Sequence, residues 1–298
     1  MDPEYVLGMY EKAVPASLGW PARLRVARES GFDYVEISID ESDERLARLR
    51  WSADERRALA RAVSETATPV SSMCLSAHRR YPLGARARSV RARSLDIMAR
   101  AIDLACDLGV RTIQLAGYDV YYEPSDTGTR KRFAENLARV AEMAARSGVL
   151  LGFETMETPF MDTVEKAMRY VHEIGSPYLG VYPDIGNLTN ASLRSGSPVA
   201  DDIATGGGRI IACHCKETVA GAYREIAFGE GTTDYDGALA ALVEQGVRRF
   251  VAEFWYVGSE RWRQETSAAA AFVRARIEAA LIGRGLSRPP AASCARTS

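Results

Sequence analysis

The feature that most constrains this chain is a unit repeated six times, in which an amphipathic helical stretch ends at a glycine and an apolar run follows within a few residues. The junctions are Gly31 before FDYVEIS, Gly109 before VRTIQLA, Gly148 before VLLGFE, Gly175 before SPYLGVYPD, Gly208 before RIIACH and Gly246 before VRRFVAEF. A glycine just past a helix end takes the left-handed conformation that closes the last turn, so each junction predicts a helix-to-strand boundary. A first strand at Val6–Met9 and another at Val70–Cys74, entered through Pro69, bring the strand count to eight.

The segments between strands carry helical periodicity: Leu95, Met98, Ile102 and Cys106; Phe133, Leu137, Val140 and Ala144; Val164, Ala167, Met168 and Val171. Ser52 with Glu55 and Asp162 with Glu165 have capping-box spacing and mark two helix starts. Strict alternation of strand and helix implies parallel strands with helical crossovers, and eight such units close a barrel. The fold expected is α/β, a (β/α)8 TIM barrel forming one catalytic domain over residues 1–282. The length of 298 residues suits it, since such barrels need about 250. An open doubly wound sheet is disfavoured because no Gly-x-Gly-x-x-Gly turn follows an early strand. Residues 283–298, with two prolines and little apolar periodicity, are expected to be a disordered tail.

Composition removes several classes of function. With 38 Lys and Arg against 39 Asp and Glu, the net charge of −1 supplies no field for nucleic acid or an anionic membrane. The absence of an apolar run long enough to span a bilayer, and of signal-peptide features at the start, points to the cytoplasm. Five cysteines without disulfide-framework spacing read as reduced thiols. Cys213 and Cys215 flank His214, but on a strand their sulfurs point away from it, so they are expected to be small apolar residues rather than ligands.

Active sites of such barrels lie at the C-terminal ends of the strands. There, four consecutive strands end in metal-ligand types: LLGFE at Glu154, LGVYPD at Asp184, IIACH at His214 and FVAEF at Glu253. One such residue alone would be a solvated or Arg-paired side chain. Four in succession would bury several carboxylates together, which is costly without a cation. The set suits one divalent ion such as Mn, Co, Mg or Zn. Of the other histidines, His172 sits near a helix end as a surface cap, whereas His78 follows a strand and is a substrate candidate, its alternative being a loop histidine packed on Tyr81. Lysines number only four, at Lys12, Lys131, Lys166 and Lys216; Lys12 and Lys216 lie on the catalytic side. With Arg79 and Asn187, these are the candidates for holding substrate, Lys12, Arg79 and Lys216 being the ones suited to an anionic group.

The segments LGMYEKAVP, FDYVEISIDESDERLARL, SSMCLSAHRRYPLG, IQLAGYDVYY, VYPDIGNL, HCKET and FGEGTTDYDGAL resemble the L-ribulose-5-phosphate 3-epimerase (L-xylulose-5-phosphate 3-epimerase) family of L-ascorbate and pentose catabolism. The resemblance runs from about Leu7 to about Ala280. It implies a xylose isomerase-like barrel with Glu154, Asp184, His214 and Glu253 as metal ligands, and Glu154 and Glu253 as the acid and base. The expected activity is 3-epimerisation of a ketopentose phosphate through an enediolate. The expected partners are a small-molecule sugar phosphate and a second copy of the chain in a dimer.

Three alternatives compete. A nuclease of the endonuclease IV type shares the barrel but needs a multi-metal cluster and a basic face; three histidines and a charge of −1 argue against it. A non-catalytic sugar-binding barrel would not keep all four acidic and imidazole ligands. A ketose 3-epimerase or aldose–ketose isomerase for free sugars is the nearest rival, and phosphate preference separates it.

Overall fold

A computed structural model describes residues 4–283. The expected tail at 283–298 lies outside the described residues apart from Gly283, as does Cys294. Among the described residues, eight parallel strands form one sheet: β1 (Val6–Tyr10), β2 (Tyr34–Ile39), β3 (Val70–Leu75), β4 (Thr112–Ala116), β5 (Leu150–Glu154), β6 (Leu179–Val181), β7 (Cys213–Cys215) and β8 (Arg249–Ala252). Their order, β6-β5-β4-β3-β2-β1-β8-β7, is that of a barrel cut between β6 and β7. Across the cut, the parallel bridges Val181↔Ile210 and Asp184↔His214 join the two strands. The second bridge places two of the expected ligands directly opposite one another.

Among the described residues, ten α-helices surround the sheet: α1 (Trp20–Glu29), α2 (Asp43–Ala47), α3 (Ala53–Thr66), α4 (Arg88–Leu108), α5 (Thr127–Arg146), α6 (Val164–Ile174), α7 (Ile185–Ser195), α8 (Val199–Ala204), α9 (Tyr235–Glu244) and α10 (Trp262–Ile282). All six junction glycines have positive φ, from 64° at Gly148 to 92° at Gly31, so the repeat arises from the need for a left-handed residue at each helix end.

Local details differ from expectation in places. The Ser52–Glu55 capping box is present, but α6 is capped by Thr163, whose side chain accepts from Lys166 N. Asp162 instead pairs with Lys166 and Arg194. On α4, Met98 and Ile102 are buried while Cys106 faces solvent and Ala105 takes the inner position, because a strict four-residue step drifts off the buried face of a 3.6-residue helix. The short helices α2 and α8 add to the simple alternation.

Three packed regions result among the described residues, of which Ala116, Tyr118 and Met156 form a minor one and the other two make the core. The larger lies between sheet and helices and includes Leu7, Ile37, Leu151, Cys213, Cys215 and Phe250. Cys213 and Cys215 are therefore apolar wall residues, as the strand alternation requires. The smaller, inside the barrel, holds Tyr10, Tyr34, Cys74, Tyr182, Ala212 and Val251. Gly8 makes room there: a Cβ at this position would sit 2.5 Å from the Tyr34 ring. Among the described residues no helix is long and apolar enough to cross a membrane.

Candidate metal centre

Each strand end delivers its side chain for a local reason. Glu154 is the last residue of β5, and its Oε2 accepts a hydrogen bond from Gln114 Nε2 on β4. Asp184 is the N-cap of α7: Oδ1 accepts from Asn187 N at 2.8 Å, which satisfies a helix-end donor and aims Oδ2 inward. His214 is the middle residue of β7, and Glu253 directly follows β8. All four are buried, and each offers one ligand atom, with those atoms lying within 4.8 Å of one another.

The histidine is held from behind. Its Nε2 donates to Glu36 Oε1 at 2.7 Å, which leaves Nδ1 facing Glu154 Oε1 at 3.3 Å and Glu253 Oε2 at 3.6 Å. Lys216 Nζ faces Asp184 Oδ2 at 2.7 Å and Glu253 Oε2 at 3.4 Å, and donates to Asn187 Oδ1 at 2.9 Å. Neither of those two carboxylate oxygens accepts a well-formed hydrogen bond.

Charge in the cluster is unevenly balanced. Burial, reinforced by repulsion from Glu253, raises the pKa of Glu154. Burial also pushes Asp184 up to about 7, against the pull of Lys216. For Glu253 the burial penalty is outweighed by Lys216 and His214, which hold it at about 2. Burial would lower His214, but Glu36 and Glu253 raise it well above the ordinary imidazole range. Three clustered carboxylates, two of whose oxygens face Lys216 without a well-formed hydrogen bond, and an imidazole nitrogen turned toward them fit a divalent cation: oxygen and nitrogen donors, no thiolate, one side open.

Above the centre opens a cavity of about 620 Å³, lined by Glu154, Asn187, Lys216 and Glu253 at its base and by Lys12 and Arg79 higher up. Lys12 pairs with Asp40 at 2.5 Å. The Arg79 guanidinium lies 5.5 Å from the Tyr118 ring centre and 4.9 Å from that of Tyr121. Tyr122 reaches over from the loop after β4 to Glu41 in the loop after β2, donating at 3.0 Å.

Of the nine residues marked out from sequence, the structure brings eight to this cavity and its base. His78 is the exception: it is 2% exposed, its Nε2 bonds to Ser94 O at 3.2 Å, and it does not line the cavity. A short 3-10 turn after β3 points it under α4 while its neighbour Arg79 points to the mouth. Lys216 lines the cavity as well, with its ammonium facing Asp184 and Glu253 and donating to Asn187. Glu36 and Gln114 went unnoticed; the available signal was the one charged side chain in YVEISI and the one amide in TIQLA, each inside a largely apolar run.

The family profile described as xylose isomerase-like TIM barrel matches residues 24–276. The chain is 45% identical over 275 residues to L-ribulose-5-phosphate 3-epimerase UlaE of Salmonella paratyphi C (strain RKS4594), covering 92% of this chain and 95% of the relative. It is 44% identical over 272 residues to the UlaE enzyme of Escherichia coli (strain SE11), covering 91% and 94% of the two chains. Among solved structures, it resembles L-ribulose 3-epimerase with a TM-score of 0.72 at 20% identity over 99% of this chain and all of the other. It resembles D-psicose 3-epimerase with a TM-score of 0.76 at 17% identity over 91% of this chain and 99% of the other. The two structural likenesses carry the fold.

Proposed function

The chain belongs to the L-ribulose-5-phosphate 3-epimerase family of xylose isomerase-like TIM barrels, isomerases by class, and from that premise we propose that it interconverts L-ribulose 5-phosphate and L-xylulose 5-phosphate with one divalent ion held by Glu154, Asp184, His214 and Glu253. The observation that carries this reading is the pairing of Glu154 and Glu253 around one imidazole nitrogen, at 3.3 and 3.6 Å, from strands that have β6 and β7 between them.

Inverting a carbon beside a ketone means removing its proton and returning one from the other face. Two carboxylates arriving from different sides of the site can divide that work, one taking the proton at C3 and the other, protonated, giving one back. Gln114 holds Glu154 by its Oε2, which leaves Oε1 toward the centre. Lys216 and Asn187 brace Asp184 and Glu253. The ion, when bound, supplies electrostatic stabilisation for the negative charge that develops on the substrate. Lys12 and Arg79, cations on the cavity wall, are the side chains suited to the phosphate.

The test compares turnover of L-ribulose 5-phosphate with that of free L-ribulose by the metal-loaded protein. Turnover of the phosphate ester with a far higher kcat/KM is expected. Equal or greater efficiency on the free sugar would transfer the chain to the ketose 3-epimerases or isomerases of unphosphorylated sugars.

A further inference from the structure

Beneath the cavity, inside the barrel, Glu36 on β2 is completely buried and is not part of the cavity wall. Both of its oxygens are engaged. Oε1 accepts from His214 Nε2 at 2.7 Å, while Oε2 accepts from Ser72 Oγ at 2.7 Å and from the Tyr182 hydroxyl at 3.0 Å. These partners come from β3, the end of β6 and β7, so the carboxylate is tied to three other parts of the barrel wall. The Tyr182 ring also packs edge-on against the His214 imidazole, 4.9 Å between centres.

Building on the reading of the centre given above, we propose that Glu36 is the positioning residue that sets how tightly the centre holds its divalent ion. Two effects follow from its place. The hydrogen bond keeps a proton on Nε2, so Nδ1, which faces Glu154 and Glu253, is the nitrogen left to give up its proton and serve as the ligand. The negative charge behind the ring makes that nitrogen a stronger donor, and outer carboxylates of this kind change metal affinity by about 10–100-fold. Ser72 and Tyr182 have a role of their own: two hydroxyl donors compensate the buried carboxylate and fix its plane.

Glu36→Gln separates charge from shape. Its amide oxygen can still accept from His214, and the hydroxyls of Ser72 and Tyr182 can rotate to accept from its NH2. Competition titrations of Mn2+ or Zn2+ against a chromophoric chelator should show affinity reduced about 10–100-fold. The melting temperature of the metal-free variant should stay within a few degrees of wild type. As a second variant, Tyr182→Phe keeps the ring and removes one donor to Glu36, and a smaller loss of affinity is expected. Wild-type affinity in both variants overturns the role of Glu36. A wild-type protein that binds no ion overturns instead the reading of the centre on which this proposal rests.

Discussion

The ammonium of Lys216 stands 2.7 Å from the carboxylate of Asp184, both groups buried at the floor of the cavity. That contact makes the lysine part of the charge balance of the centre. Removing one partner of a buried ion pair costs about 3–5 kcal/mol. Lys216→Met should therefore lower the melting temperature strongly in metal-free protein. With saturating Mn2+ the drop should be much smaller, because the ion itself balances Asp184 and Glu253. An equal drop in both conditions, read by calorimetry, would show that the lysine supports the fold independently of the centre.

Among the described residues one group of donors could hold a metal ion, and the prediction is one tightly bound ion per chain. Elemental analysis of protein purified without added metal should find about one equivalent. Chelation should abolish turnover, and a single added equivalent should restore it. A requirement for two or three ions would favour the multi-metal nuclease alternative.

His78 gives a pH signature away from the chemistry. Burial lowers its pKa to about 4, with the bond to Ser94 opposing, against about 6.5 in the unfolded chain. Between those values the unfolded state takes up a proton that the folded state refuses. Its contribution is therefore intact above pH ~6.5 and is lost as the pH falls toward ~4, by roughly 3 kcal/mol in all. His78→Gln keeps a donor for Ser94 and does not titrate. Denaturant unfolding at pH 7.5 and 4.5 should show the variant gaining on wild type at the lower pH. Parallel losses would place the acid sensitivity elsewhere.

Lys12 and Arg79 line the cavity at different places, Lys12 paired with Asp40 and Arg79 stacked on Tyr118 and Tyr121. Replacing each by Met distinguishes phosphate binding from support of the loops. The residue that meets the phosphate should, when lost, raise KM for the phosphorylated ketose tenfold or more while hardly changing that for the free sugar. A change of equal size for both substrates would assign it to shaping the cavity.

What could be read from the sequence were features imposed locally by the backbone. A helix must end in a left-handed residue before the chain turns into a strand, so Gly31, Gly109, Gly148, Gly175, Gly208 and Gly246 announce the architecture. Strand ends face the site in any barrel, so Glu154, Asp184, His214 and Glu253 could be picked out by position alone. Glu36 could not, because its importance depends on a ring brought from 178 residues away, and alternation says only that it shares a face with Tyr34 and Ser38. His78 and Arg79 are adjacent in sequence, and the 3-10 turn that sends one inward and the other to the cavity has no periodicity to reveal it. Lys216 was placed correctly on the catalytic side, but its partners Asp184 and Asn187 come from the turn into α7, a contact between elements that spacing does not report.

The sharpest prediction concerns how Glu154 and Glu253 divide the proton transfers. If each serves one face of C3, each epimer's proton belongs to one carboxylate. In D2O the wild type should place deuterium at C3 of the product epimer. Glu154→Gln and Glu253→Gln each retain an amide oxygen that can stay in the ligand set, yet neither can take or give the proton. Both variants should lose net epimerisation, by about 100-fold or more, the scale of a lost acid or base. Each should keep slow exchange at C3 of one epimer, and the two should differ in which epimer exchanges. Nuclear magnetic resonance of the two sugar phosphates incubated with each variant reads this directly, with metal content measured alongside. If both variants, still holding metal, exchange the same epimer, or if the wild-type product carries no solvent deuterium, the two-base route through an enediolate is wrong for this chain.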